Sequence, residues 1–203
     1  LFLKFFGENR YTLRTYFPQE VDSVQVNGSW QHDTVFHKVP PFSFQSQSGD
    51  VVGTDQLKDN MYVANFFFAT CVGICKQMSS QLVRVQEAFR DEPQVKIVSF
   101  TVNPEHDSVE VLQQYADAYS ANPKQWYFLT GQREKIYELA QKGFYLPVQQ
   151  VPGMNDFIHS EKFLLVDKDQ HVRGIYDGTD PEDVDRLITE IRILLHEYKS
   201  SQK

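Results

Sequence analysis

Between Met61 and Ala69 the chain reads MYVANFFFA, nine residues of which only Asn65 is polar. A run this short and this apolar predicts a strand covered on both faces in a mostly parallel sheet, although periodicity alone also admits a helix. Beyond Cys75 the apolar residues Met78, Leu82, Val85 and Phe89 recur at the spacing of a buried helical stripe. The two cysteines of the chain, Cys71 and Cys75, therefore fall on a strand-to-helix turn. Unpaired amides at a helix N-terminus favour negative charge, so such a turn draws a thiol toward thiolate, the form that binds metal and attacks disulfides.

The rest of the chain extends this unit. Residues 1–34 mix aromatic rings with polar residues without a sustained period, and are expected to form an irregular N-terminal extension that follows a removed membrane anchor or signal. Pro40-Pro41 marks the start of a domain over 35–203, and Phe42–Phe44 with Val51-Val52 reads as a short hairpin. Val95–Val102 is a second buried strand, parallel to the first across the cysteine helix. Ser108 caps a helix that runs to Tyr119, Trp126–Leu129 is a third strand, and Arg133–Lys142 is a helix ending at Gly143. After a Pro- and Gly-bearing loop over 144–158, Lys162–Asp167 and His171–Tyr176 predict an antiparallel hairpin, and Pro181 opens a long amphipathic helix. The expected fold is α/β, a central mixed sheet with helices on both faces in the thioredoxin-like plan.

A formal net charge of -7 argues against nucleic acid or anionic lipid as the main partner. No run approaches the ~18 apolar residues of a membrane span. A pair of cysteines is too few for a disulfide scaffold, so their spacing asks for a local explanation.

Cys71-Val-Gly-Ile-Cys75 is C-x-x-x-C, one residue longer than the C-x-x-C of thiol oxidoreductases. The longer spacing leaves room for two sulfurs around one soft cation, Cu(I) or Zn(II), while disulfide exchange stays open. A third reading makes both cysteines packed core residues of an interaction module. A metal site needs a further ligand. His196 and His171 read as surface residues, and His32 and His37 are assigned to the extension. His106 follows a strand end, but Glu105 and Asp107 beside it suggest a solvated loop. His159 stands at the end of the 144–158 loop, which a thioredoxin-like plan carries across from the cysteine turn.

Three segments carry a resemblance: Phe66-Phe-Phe-Ala-Thr-Cys71-Val-Gly-Ile-Cys75, Asp156-Phe-Ile-His159-Ser160 and Arg173-Gly-Ile-Tyr-Asp-Gly178-Thr-Asp180. Over about residues 35–198 the chain resembles the Sco/SenC family, copper-binding assembly factors of cytochrome c oxidase. The resemblance implies Cys71, Cys75 and His159 as copper ligands, for Cu(I) and in a further state Cu(II). By its spacing alone Asp156 is a candidate to orient His159, with a solvated loop carboxylate the favoured reading. It implies a metallochaperone rather than an enzyme, tethered N-terminally on the periplasmic side of a membrane or its equivalent. Its partner would be the copper-site subunit of cytochrome c oxidase or another copper protein. The alternative is a membrane-tethered thiol-disulfide oxidoreductase, with Cys71 and Cys75 as its redox pair. Where the family commonly has proline after each cysteine, this chain has Val72 and Lys76. The loop is then expected to be looser, and the Lys76 charge to favour a Cys75 thiolate.

Overall fold

The computed structural model describes residues 12–26, 29–147 and 160–201. Fourteen apolar and polar segments of the sequence resolve into two sheets and their helices. A two-stranded sheet pairs β1 (Pro18–Val26) with β2 (Ser29–Phe36). The main sheet has seven strands: β3 (Ser43–Ser46), β4 (Val51–Gly53), β5 (Met61–Phe67), β6 (Val95–Thr101), β7 (Trp126–Thr130), β8 (Lys162–Val166) and β9 (Val172–Asp177). Their order is β4-β3-β7-β6-β5-β8-β9. β5, β6 and β7 run parallel, and the flanking strands are antiparallel to their neighbours.

The apolar run is a strand, and every residue of β5 is buried. Met61, Val63 and Phe67 enter one core cluster, whereas Tyr62, Ala64 and Phe66 enter the other, the period-2 alternation that a helix cannot produce. Asn65 is 1% exposed, and its Oδ1 accepts the Ser99 hydroxyl at 2.6 Å while Trp126 Nε1 donates to that hydroxyl at 2.9 Å. This chain of bonds across three strands gives a partner to the side-chain oxygen that interrupts the apolar run.

The cluster containing Met61 and Phe67 is closed by α1 (Ile74–Ala88), α2 (Val109–Ala118) and α4 (Pro181–Ser201). Met78, Leu82, Val85 and Phe89 are buried as their spacing predicts, each contributing about 1.5–3 kcal/mol by leaving water. Ser108 Oγ accepts the Val111 N–H and caps α2. On the opposite face lies α3 (Arg133–Glu138), so helices cover both sides. The expected hairpins at 43–53 and 162–177 are present.

Two expectations are corrected. Pro18–Val26 and Ser29–Phe36 pair as antiparallel strands rather than irregular chain, with Val26 opposite Ser29 and a shift in register between Pro18 and Glu20. The dipeptide between them is Asn27-Gly28, whose preference for tight hairpin turns was the signal. Before the hairpin, the Tyr16 N–H donates to Val172 O at 2.8 Å and Arg173 Nη2 donates to Leu13 O at 2.8 Å, which fasten this stretch beside β9. The helix over 133–142 also ends early, continuing as a π-helical turn, Leu139–Gly143. Gly143 is not a left-handed cap. A Cβ there would stand 3.1 Å from Pro40 Cδ, and its carbonyl accepts His37 Nε2 at 3.0 Å. Close approach, not a turn, requires this glycine.

Candidate functional site

β5 and β6 end side by side at the edge of the sheet where α/β proteins place their sites. The chain leaves β5 at Phe67 and reaches α1 at Ile74, so the intervening loop holds Cys71 while Cys75 lies inside the first helical turn. Both thiols are unpaired and buried, Cys71 8% and Cys75 4% exposed. Val72 between them is 88% exposed, so the turn between the sulfurs faces outward while its ends are covered.

The cap of α1 explains the difference between the thiols. Gly73 precedes the helix and offers no capping side chain, and the first turn carries no acidic residue. The orphan amides find sulfur instead: the Cys75 N–H donates to Cys71 Sγ at 3.4 Å. Burial alone would raise the Cys71 thiol, but the Cys75 thiol and the backbone N–H groups of Cys75, Gly73 and Ile74 outweigh it and hold Cys71 below its ordinary value. Cys75 moves the other way. Burial pushes it up, followed by its role as donor to Cys71 and by the negative charges of Cys71 and Asp107, against an opposing hydrogen bond from the Phe68 backbone. The expectation that Lys76 favours a Cys75 thiolate is therefore overturned: Lys76 is exposed, and burial decides the Cys75 thiol. The helix N-terminus acts on Cys71.

In the loop entered from β6, Glu105 and His106 are exposed as expected, but Asp107 is not. Asp107 is fully buried. Its Oδ2 accepts the Ala69 N–H at 3.0 Å and the Thr101 hydroxyl at 2.5 Å, and its Oδ1 lies 3.1 Å from His106 Nδ1. Asp107 thus reaches the cysteine loop two residues before Cys71, a role its acidic neighbours in sequence conceal. Its place directly before the α2 cap, at a strand end beside the cysteine turn, was the available signal.

The other histidines fall as follows. His37 is buried and structural, with its ring nitrogens 3.1 Å from Gln19 Nε2 and 3.0 Å from Gly143 O. His196 is exposed on α4. Asp167, Asp169 and His171 bring ligand atoms within 4.8 Å of one another, but Asp167 already accepts the N–H groups of Asp169 and His171 and a bond from Arg173. That cluster is a turn lock. His159 and Asp156 lie outside the described residues, and the side chain of His32 does too. Among the described residues, then, the site consists of Cys71, Cys75 and the groups that hold them.

Comparison with known proteins identifies the family. The family model described as SCO1/SenC matches residues 30–196. A SCO1 protein homolog of Bacillus subtilis (strain 168) is 33% identical over 162 residues, covering 79% of this chain and 84% of that protein. The crystal structure of a SCO1/SenC family lipoprotein from Bacillus anthracis superposes with a TM-score of 0.71 at 28% identity, over 78% of this chain and 95% of that one. BsSco, described as a member of the Sco family of cytochrome c oxidase assembly proteins in which a disulfide switch was identified, gives 0.68 at 33% identity, over 78% and 93%. The fold is thioredoxin-like, and the chain belongs to the SCO1/SenC family.

Proposed function

We propose that the chain is a copper metallochaperone, in which Cys71 and Cys75 supply two thiolates and His159 an imidazole. The observation that carries this reading is the placing of two free, buried thiols at the ends of one outward-facing turn, with the helix amides directed at Cys71. Two soft sulfurs fit Cu(I), and ScoI of Arabidopsis thaliana, a protein of the same fold, has been solved with copper bound. Bound there, Cu(I) would be cargo in a three-coordinate site with an open position. Cys75 stands on the helix as the fixed donor, and Cys71, in the loop, is the ligand that yields when a partner's thiolate enters. The acceptor is the copper-site subunit of cytochrome c oxidase or another copper protein, on the extracytoplasmic side of a membrane. The relative in Bacillus anthracis is a lipoprotein, in keeping with a tethered position. No helix among the described residues is long and apolar enough to cross a membrane.

The inequality of the thiols favours a second reading, thiol-disulfide exchange. Cys71 thiolate attacks one sulfur of a partner's disulfide, expelling the other as thiolate. Cys75, having lost its proton, then attacks Cys71 Sγ, releasing the partner's second thiol and leaving a Cys71–Cys75 disulfide. One experiment separates the two: competition titration of Cu(I) into the reduced protein beside Cys71→Ser and His159→Ala. One tight equivalent that needs both residues supports delivery. Weak binding indifferent to His159, with brisk disulfide exchange lost in Cys71→Ser, supports the second reading instead.

A further inference from the structure

We propose that Asp107 is the positioning residue of the cysteine loop, a buried clamp from the β6–α2 connection that fixes the backbone ahead of Cys71 and so sets where that thiol stands during loading and release. The statement about loading rests on the copper reading above; the clamp itself does not.

The clamp is rigid at its own end. The Asp107 N–H donates to Asn103 O at 2.9 Å, and Thr101 Oγ1, which donates to the carboxylate, accepts the Asn103 N–H at 3.0 Å. Regular pairing between the two strands finishes with the Val102 N–H on Phe67 O at 2.8 Å. Past that point the Cys71 N–H turns back onto Phe68 O at 3.2 Å, and the Cys75 N–H of α1 onto Cys71 Sγ, neither reaching β6 or its loop. Among the described hydrogen bonds of residues 69–72, that of Ala69 to Asp107 ties the loop to a neighbouring element. On the other side of Cys71 the Gly73 carbonyl accepts the Lys76 N–H at 3.1 Å, so the helix holds the exit. Two sulfurs keep their relation only if the entrance is held as well.

The chemistry of the carboxylate makes the test sharp. Alanine at 107 leaves the Ala69 N–H and the Thr101 hydroxyl unpaired in a buried place. Asparagine keeps an oxygen for both donors and turns its NH2 toward His106 Nδ1, which accepts in one tautomer. Thr101→Val removes the other donor to Oδ2 and the acceptor of the Asn103 N–H, and leaves the Ala69 bond and the Asp107 N–H on Asn103 O. Partners that orient metal ligands commonly change affinity about 10–100-fold, so Asp107→Ala should weaken Cu(I) binding at least about tenfold, with Asp107→Asn and Thr101→Val within about threefold of the wild type.

The variants are compared by Cu(I) competition and by equilibration with glutathione, in which the protein dithiol and glutathione disulfide give the protein disulfide and two glutathione thiols. Asp107→Ala should shift that equilibrium constant at least about tenfold and Asp107→Asn should not. Asp107→Ala at wild-type values in both assays, or Thr101→Val as damaging as Asp107→Ala, would overturn the proposal. If the wild type binds no Cu(I), the metallochaperone reading fails and the glutathione equilibrium still decides for or against the clamp. If Asp107→Ala does not fold, amide hydrogen exchange in the wild type decides: Ala69 should exchange far more slowly than Thr70, and equal rates would overturn the clamp.

Discussion

The entrance and the exit of the cysteine loop are built on different principles. At the exit, Cys75 belongs to α1, and the helix presses it into the core with Met78 one turn further on. At the entrance, Cys71 is held by hydrogen bonds: its sulfur receives helix amides, its backbone turns back on Phe68, and Asp107 grips Ala69. Apolar packing fixes a side chain without favouring charge on it, whereas converging amides favour charge. A pair of equal residues thereby acquires unequal chemistry, one sulfur kept as thiol and one drawn toward thiolate.

The largest effect expected from this difference is on stability. Met78→Ala should cost about 2–5 kcal/mol, the range for emptying a buried site of this size. Val72→Ala, at the exposed crest, should stay within about 0.5 kcal/mol. Urea unfolding of the reduced proteins measures both, and similar losses would erase the contrast between packed end and open crest.

Next comes reactivity. With limiting iodoacetamide at neutral pH, peptide mapping should find Cys71 alkylated at least about tenfold faster than Cys75, the ratio that one unit of pKa separation sets. Preferential modification of Cys75 would reverse the assignment.

A smaller effect is the pH dependence of folding. Cys75 is raised in the folded state, so above the ordinary thiol value of about 8.5 the unfolded chain releases its proton first and stability falls with rising pH. Cys71 is lowered and contributes in the opposite sense. The Cys71→Ala protein, left with the falling contribution, should lose stability from about pH 8.5 to about pH 10 more steeply than the protein with both cysteines replaced by alanine. Parallel pH profiles for the two would show that burial does not hold the Cys75 proton.

Much of this arrangement is legible in the residues. The apolar run, the stripe from Met78 to Phe89 and the Ser108 cap place the two cysteines on a strand-to-helix turn, because each follows a local periodicity or a capping preference. Features set by tertiary contact are not legible in that way. Asp107 reads as solvated among Glu105 and His106, and only the strand pairing that brings Ala69 beside it makes it a buried acceptor. Lys76 stands next to Cys75 in sequence, yet a helix turns adjacent side chains about 100° apart and this one points to water. The hairpin over 18–36 shows the opposite failure: its signal, Asn27-Gly28, is local, but a search for sustained periodicity passes over two residues.

The stretch fastened beside β9 has a consequence for assembly. An open sheet ends in strands whose outward amides and carbonyls can recruit another chain. Here Val172 O is taken by the Tyr16 N–H, Ile175 O by Arg186 Nη2 and the Asp177 N–H by the Asp183 carboxylate, and at the far edge β4 is three residues long. With those groups of β9 already occupied and β4 so short, the two outer strands of the seven-stranded sheet offer another chain little free backbone along which to extend it.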